Sequence, residues 1–330
     1  MTKIKIICGS NFGEKGSLYE HRPGWVFTQD PACSDYDWLL VFEDLADEDG
    51  GTMANGSEPL ACPRERTILC TWEPTSVKDY SKAFTRQFGH LLTNRPPEAE
   101  RHPHYHLGRG YFWWLNGRDY PANASTVIPL KTKVISAVCS AKQMRHTQHC
   151  ARFRLISELA RTVDDFDWFG RGVRPLEMKY GALDSYKYHV AVENHIAPHH
   201  WTEKLADAIL CECLPFYAGD PLIGEVLPPE SVVPIPIDDP AEATRIVKAA
   251  IAAGEYEKRR EAVLEAKRLL LEKYNLWDQV ISVVEASAEQ PTTPVEPSGP
   301  PRLYSRHGLR RHSLSAALED AWLHVRRGLR

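Results

Sequence analysis

A dense group of acidic, basic and imidazole side chains lies within the stretch YKYHVAVENHIAPHHWTEKL, residues 186–205. Alternation of apolar residues from Tyr188 to Val192 predicts a strand, and helical spacing of apolar residues predicts a helix that begins near Trp201. A strand-to-helix turn therefore carries the polar group. Its members are Glu193, Asn194, His195, His199, His200, Glu203 and Lys204.

Side chains at such a turn are placed to bind a ligand, because open α/β sheets bind ligands beyond the carboxyl ends of their strands. The first amides of the following helix, together with its dipole, favour an anion. A bound anion between those amides and Lys204 explains a lysine in the first turn, and Glu203 could accept hydrogen bonds from sugar hydroxyls. The residues favour a phosphate-bearing ligand with a polyhydroxy part. The alternative is a solvated Glu–Lys pair on a surface helix.

The chain contains two successive series of strand-like and helix-like segments, and the turn belongs to the second. Apolar runs of strand length occur at 3–8, 37–42, 66–72 and 88–94, and residues 101–121 are loop-like and rich in histidine and aromatic residues. The second series has strands at 133–139, 164–170, 186–192, 214–219 and 231–235, and helices at 149–161 and 240–275 with a break near Gly254. Alternation of this kind predicts parallel sheets covered on both faces. We therefore predict an α/β fold of two Rossmann-like domains that face a cleft.

Composition excludes several classes of protein. The chain has 330 residues and a net charge of -4, which argues against nucleic acid as a partner. No apolar run approaches the roughly 18 residues of a membrane span, and the first residues lack the apolar core of a signal peptide. The eight cysteines show no C-x-x-C spacing, so we expect reduced thiols and a cytoplasmic location.

The carboxyl-terminal region differs in composition from the rest. Residues 286–301, ASAEQPTTPVEPSGPP, cannot form a core, and we interpret them as a linker. Residues 302–330 are rich in arginine and have apolar residues at helical spacing from Leu314 to Val325. This pattern predicts a basic amphipathic helix. It would lie on an anionic membrane surface, on the inner face of the membrane, or else dock on the body of the protein or on a partner chain.

The motifs between about residues 131 and 275 resemble those of the family 10 glycosyltransferases, the α1,3/4-fucosyltransferases, in the same order. The opening stretch resembles Y-K-F-x-L-A-F-E-N-S followed by D-Y-V-T-E-K. LPFYAG resembles V-P-V-V-x-G, and LPPESVV resembles L-P-P-x-S-F-I. Upstream, KTKVISAVCS, ARFRLI and DFDWFGRG match the three preceding motifs, and TWEPTS, at 71–76, resembles the family's E-S-P-S stretch.

The resemblance implies a GT-B fold and inverting transfer of L-fucose from GDP-fucose to a hydroxyl of a glycan acceptor. It implies an acceptor-side domain at 1–125 and a donor-binding domain at 126–285. Glu73 matches the family's catalytic base, and Arg152 and Lys204 match the residues that hold the donor pyrophosphate. Other donor contacts implied by the resemblance, or suggested by position, are Glu193, Asn194, His200, Glu203 and, as further candidates, Arg171 and Arg174.

The resemblance requires no cofactor and no metal, because protein cations take the metal's place; a divalent metal would be non-essential. His102, His104 and His106 suggest a metal site, but no acidic or thiol partner has regular spacing. The chain departs from the family pattern at His195, and His199 and His200 replace its D-Y. We therefore keep two alternatives: a GT-B transferase that uses another nucleotide sugar, and a catalytically silent protein that binds glycan or nucleotide.

Overall fold

The structure is a computed structural model that describes residues 1–8, 22–45, 56–75, 77–109, 118, 120–125, 130–141, 148–288 and 302–328. The chain forms two compact units, one of residues 1–108 with 279–330 and the other of residues 109–278. Each unit has a parallel sheet, which confirms the predicted α/β class. The aromatic run at 111–114 lies outside the described residues.

Each apolar run predicted as a strand contains a strand, whereas the short strands at 25–28, 57–59, 105–107 and 302–304 were not predicted. Every residue of the strands Trp38–Phe42, Thr67–Thr71 and His90–Thr93 is buried, as expected of strands covered on both faces. The strands are β1 (Thr2–Cys8), β2 (Trp25–Thr28), β3 (Trp38–Phe42), β4 (Ser57–Pro59), β5 (Thr67–Thr71), β6 (His90–Thr93), β7 (Tyr105–Leu107), β8 (Lys133–Val138), β9 (Phe166–Phe169), β10 (Tyr186–Val192), β11 (Leu214–Ala218), β12 (Val233–Pro234) and β13 (Arg302–Tyr304).

In the first unit, six parallel strands have the order β2-β1-β3-β5-β6-β7. In the second unit, five parallel strands have the order β12-β11-β10-β8-β9. Each order contains a doubly wound switch point: β1 and β3 are neighbours in the first sheet, and β8 and β10 in the second. The predicted loop at 101–121 contains β7, which the sequence analysis missed because only three residues are extended.

Helices flank both sheets. Their bounds are α1 (Lys82–Thr85), α2 (Tyr120–Ala124), α3 (His149–Thr162), α4 (Glu203–Leu210), α5 (Pro240–Ala252), α6 (Glu255–Lys258), α7 (Arg260–Glu272), α8 (Leu276–Ala288), α9 (Arg306–His312) and α10 (Leu314–Gly328). The predicted break near Gly254 is present, with φ 66° at that residue. The helix predicted from near Trp201 begins at Glu203, because Thr202 caps it.

The boundaries of the units differ from those predicted at residues 125, 285 and 301. The second unit begins after residue 108 and ends at residue 278. Helix α8 extends to Ala288, three residues into the predicted linker. The helical spacing of apolar residues continues through α8, and its residues Trp277 and Val280 are almost completely buried. The rest of the linker, residues 289–301, lies outside the described residues.

The carboxyl-terminal segment packs on the first unit. Strand β13 pairs with β4 in antiparallel register. Glu319 of α10 accepts hydrogen bonds from the backbone N–H groups of Lys82 and Ala83, at 2.9 and 3.1 Å, and so caps α1. A β-carbon at Gly308 would lie 2.2 Å from the carbonyl oxygen of Gly56, so this close approach requires glycine. In the part of the chain that the structure describes, no helix is long and apolar enough to cross a membrane.

Candidate functional site

A cavity of about 260 Å³ lies at the switch point of the second sheet, where β8 and β10 are adjacent. Strands on the two sides of such a point send their following helices to opposite faces, which opens a crevice at their carboxyl ends. Residues from β8, α3, β10 and α4 line it. They are Val138, Ser140, Arg152, Lys179, His189, Val190, Ala191, Val192, Glu203 and Lys204.

Glu193 is the completely buried carboxylate at the end of β10. It accepts hydrogen bonds from the backbone N–H of Thr202, at 2.9 Å, and from the hydroxyl of Thr202, at 2.7 Å. Burial raises the pKa of Glu193. A β-carbon at Gly219 would lie 2.6 Å from Cγ of Glu193, so β11 can end beside this carboxylate only with glycine there. Glu193 therefore fixes the start of α4 to the end of β10.

Lys204 lies in the first turn of α4, between two carboxylates. Its ammonium nitrogen is 3.1 Å from Oε1 of Glu203 and 3.4 Å from Oε2 of Glu193, and it donates to the Thr202 hydroxyl at 3.0 Å. Although burial alone would lower the pKa of Lys204, the charges of the two glutamates raise it. Burial alone would likewise raise the pKa of Glu203, but the ammonium groups of Lys204 and Lys179 lower it to about 2. Both groups are therefore charged at neutral pH.

Arg152 and Asn194 meet at the same edge. The Arg152 guanidinium donates to Oδ1 of Asn194, and the Arg152 residue is only 7% exposed. The backbone N–H of Gln148 donates to the carbonyl of Asn194 at 3.1 Å, which ties the start of α3 to the end of β10. The fold thus brings together four residues that are up to 52 positions apart along the chain: Arg152, Asn194, Glu203 and Lys204.

The histidines of the turn adopt a compact arrangement. His200 is 7% exposed, and its ring lies edge-on to that of His195 at 5.4 Å. His199 has φ 61°, and its backbone N–H donates to Oδ1 of Asp220 at 2.9 Å. The sequence analysis missed Asp220, whose only signal is its position after β11.

Lys179 is the cation that the sequence analysis missed in the cavity. Its ammonium group is 2.6 Å from Oδ2 of the fully buried Asp207 and 3.4 Å from the carbonyl oxygen of Glu203. It precedes β10 by seven residues, and no spacing pattern links it to Lys204. Three cations, Arg152, Lys179 and Lys204, therefore border one small cavity.

We expect Lys179→Met to lower the affinity of this cavity for an anion about tenfold, because one of its three cations is lost. Calorimetric titration with inorganic pyrophosphate measures this affinity, with thermal unfolding measured in parallel. Lys179→Arg should restore most of the affinity, and Lys187→Met, which removes a half-buried lysine of β10 paired with Glu257, should leave it unchanged. A lower melting temperature with unchanged affinity would show that Lys179 only neutralises Asp207.

His189 gives the second unit a pH-dependent stability. It is 2% exposed, and its Nδ1 lies 2.8 Å from Oγ of Ser136. Burial, together with the charges of Lys179 and Lys131, lowers the pKa of His189 to about 3. The unfolded chain binds a proton at this histidine near pH 6.5, whereas the folded chain stays neutral. Folding stability therefore falls as the pH falls below about 6.5.

We expect the histidine to account for about 2 kcal/mol of the stability lost between pH 7.5 and 5.0. His189→Gln should reduce that loss by this amount, whatever its effect at pH 7.5. Urea unfolding at the two pH values measures it, and His307→Gln, at an exposed histidine, is the control. An equal loss in wild type and His189→Gln would contradict the assignment.

Glu73, in the first unit, follows the carboxyl end of β5 and is exposed. Its backbone N–H and that of Trp72 donate to Oε1 of Glu43, at 3.0 and 2.6 Å, and its carbonyl accepts from Nε of Arg95 at 2.9 Å. Glu43 itself has φ 69°, a rare conformation for a non-glycine residue. The sequence analysis missed Glu43 and Arg95. Both hold the backbone of this turn, so the Glu73 carboxylate projects from a fixed main chain.

The remaining candidates lie apart from the cavity lining. Arg171 is exposed in the turn after β9, and Arg174 forms an ion pair with Asp167 at 2.7 Å. Within the described ranges, no group of three histidine, cysteine or acidic residues is arranged to hold a metal ion.

The two doubly wound parallel sheets, one in each unit, have the arrangement of the GT-B fold. A crystal structure of an α1,3-fucosyltransferase superposes with a TM-score of 0.51 at 15% identity, over 88% of this chain and 91% of that chain. The structure of Anabaena HepE in complex with UDP-glucose gives 0.54 at 12% identity, over 88% of this chain and 100% of that chain. The predicted GT-B fold is confirmed.

Residues 128–249 match the family model described as glycosyltransferase family 10 (fucosyltransferase), C-term. This match confirms the resemblance and the predicted class of enzyme, a glycosyltransferase, and it contains all the donor-side candidates named above. No curated protein matches the chain.

Proposed function

We propose that the protein transfers L-fucose from GDP-fucose to a hydroxyl of a glycan, with inversion at the anomeric carbon. The observation that carries the proposal is the convergence of Arg152, Asn194, Glu203 and Lys204 at the switch-point cavity, inside the segment that matches the fucosyltransferase family. The site has the cations for a pyrophosphate and acceptors for sugar or ribose hydroxyls. A nucleotide sugar is also the ligand named for the HepE structure.

In this mechanism, Glu73 accepts the proton of the acceptor hydroxyl while that oxygen attacks the anomeric carbon. The bond between the anomeric carbon and the diphosphate oxygen breaks on the opposite face, and the nucleoside diphosphate leaves with the bonding electrons. Arg152 and Lys204 stabilise the charge that grows on the departing phosphate. Lys204 already has two carboxylate partners, Glu193 and Glu203. A bound phosphate would share its ammonium group with Glu203.

The test is a calorimetric titration with GDP, UDP, CDP and dTDP and with the matching sugar nucleotides. Selective binding of GDP and GDP-fucose supports the proposal. Selective binding of another nucleotide would retain the GT-B mechanism and make the buried His200 a marker of a changed donor site. Absence of binding by every nucleotide would favour the silent binding protein.

We further propose that the protein is cytoplasmic and contacts the inner, anionic face of the membrane through α10. Four apolar residues one turn apart are exposed on one face of this helix: Leu314, Leu318, Trp322 and Val325, at 79, 64, 58 and 62%. The opposite face packs on the first unit through Ala316 and Glu319. The neighbouring arginines, Arg310 and Arg311, are exposed and complement an anionic surface.

We expect the wild-type protein to float with anionic phosphatidylserine vesicles, and Leu318→Glu/Trp322→Glu to remain in the soluble fraction. Point substitutions are preferable to removal of residues 302–330, because that segment supplies β13 and the cap of α1. Val77→Glu, at an exposed valine elsewhere in the first unit, is the control. Equal flotation of all three proteins, or no flotation of any, would refute membrane contact through α10.

A further inference from the structure

The first unit contains a second, larger cavity, of about 1170 Å³, on the edge of its sheet opposite to Glu73. The cavity is bordered by residues at or just before the amino ends of β1, β3, β5, β6 and β7, whereas Glu73 follows the carboxyl end of β5. Serine and alanine residues at the end of α8 complete its wall. The usual ligand crevice of a doubly wound sheet lies at the carboxyl ends, so this cavity needs its own explanation.

Positive charge predominates at the rim. The exposed side chains of Arg64, Arg66 and Arg86 border the cavity, with the carboxylates of Asp37 and Glu65. The Asp37 carboxylate is bound by the backbone N–H of Lys3 at 2.8 Å. Among the described residues, the side chains of Arg66 and Arg86 form no ion pair. An excess of positive charge at one cavity is notable in a chain with a net charge of -4, and planar guanidinium groups suit carboxylate or phosphate.

Imidazole rings form the floor. His90, at the start of β6, is 5.2 Å from the ring of His104 and 5.6 Å from that of Trp38, and the His102 ring lies 6.4 Å from that of His104. His90 is held by His106, at 3.1 Å, and by Ser287, at 3.3 Å. Burial lowers the pKa of His102, and burial with neighbouring imidazoles lowers that of His90 to about 4.

The rings of His90 and His102 are therefore neutral at physiological pH and offer flat faces rather than charge. Flat rings pack against the apolar faces of a pyranose. A bare metal ion fits poorly, because His90 uses both nitrogens for His106 and Ser287, and His102 uses both for Phe88 and the N–H of His104. The volume of about 1170 Å³ lies above the roughly 300–1,000 Å³ usual for small-molecule pockets.

We propose that this amino-edge cavity binds an anionic saccharide, a stretch of glycan that carries carboxylate or phosphate groups. Arg66 and Arg86 would bind the acidic group, and the exposed ring of His104 would pack against a sugar ring. The inference rests on the proposed transfer to a glycan and specifies the acceptor class, an acidic polymer held at a second point on the same unit. Binding at two points lengthens the residence of a polymer acceptor.

The test titrates the full chain with tetragalacturonate, phosphorylated maltotetraose, neutral maltotetraose and inorganic phosphate. We expect an acidic oligosaccharide to bind at least about tenfold more tightly than the neutral one. Preference for one acidic ligand identifies carboxylate or phosphate as the group bound. Arg66→Gln/Arg86→Gln should lose that tenfold, whereas Arg245→Gln/Arg268→Gln, which removes two exposed arginines of α5 and α7, should not.

Equal affinity for neutral and acidic oligosaccharides, equal loss in the two double variants, or no binding would overturn the proposal. Inorganic phosphate that binds as tightly as the phosphorylated oligosaccharide would overturn its saccharide part. Saturation with GDP should leave the oligosaccharide affinity unchanged, because donor candidates lie in the other unit. GDP-fucose titration of the same samples separates the two proposals: failure of donor binding in every protein refutes the transferase function and leaves the oligosaccharide result to be judged by itself.

Discussion

Lys204→Ala should lower the affinity for GDP by roughly 100-fold, the largest binding effect we expect from one substitution. Lys204 is partly buried, keeps its charge, and lies in the first turn of α4, where the N–H groups and the helix dipole also favour an anion. Its ammonium group is already oriented by Thr202 and Glu203, so a phosphate binds without ordering a flexible side chain. Isothermal titration calorimetry at two salt concentrations measures the effect.

Two comparisons make this measurement specific. Lys248→Ala removes an exposed lysine of α5 and should leave GDP affinity unchanged. Lys204→Arg keeps the charge and should recover part of the affinity. Because Lys204 also neutralises the buried Glu193, thermal unfolding must be measured in parallel. GDP affinity equal to wild type in a folded Lys204→Ala protein would exclude Lys204 as a pyrophosphate ligand.

Glu73→Gln should reduce kcat between about 100- and 10,000-fold, the range that removal of a general base produces. GDP-fucose affinity should stay within about twofold of wild type, because only the acceptor's proton passes to this carboxylate. The amide is isosteric, and the turn is held through the backbone of Glu73 by Glu43 and Arg95, so the fold should not change. Initial rates with saturating donor, together with a binding titration, separate the two effects.

Glu98→Gln, at an exposed glutamate of the same unit, is the matched control and should keep the wild-type rate. Glu43→Gln tests whether Glu43 positions the turn that carries Glu73. The substitution keeps a side-chain oxygen for the two N–H groups but loses the charge that pairs with Lys78 at 3.2 Å. A Glu73→Gln protein with wild-type kcat would remove Glu73 from the role of base. Loss of donor binding in that variant would instead place Glu73 at the donor.

The elements around the donor site could be predicted because their signals are local. Apolar runs predicted β8 and β11, and alternation of apolar residues predicted β10. The spacing of Phe153, Ile156 and Leu159 predicted α3. The start of α4 was predicted early, since Trp201 fits the apolar period yet precedes the capping Thr202. Apolar spacing follows burial, whereas the first helical residue depends on a cap hydrogen bond.

Residues recruited from distant positions could not be predicted. Lys179 reaches the cavity from a turn before β10, and Glu43 reaches the turn of Glu73 from the end of another strand. The grouping of residues 279–330 with the first unit depends on the pairing of β13 with β4, which joins positions more than 240 apart. Apolar periodicity likewise does not predict the order of the strands in a sheet.

The sequence by itself determined the α/β class, the order of the motifs and the polar group from Glu193 to Lys204, because periodicity and residue type are properties of short stretches. Only the tertiary structure decided which strands are neighbours, and so placed a cavity at the junction of β8 and β10. It also decided which cations keep carboxylate partners, as Lys204 does, and which border a cavity without a partner among the described residues, as Arg66 does. Burial and pairing are long-range properties, and they set the charge that a ligand meets.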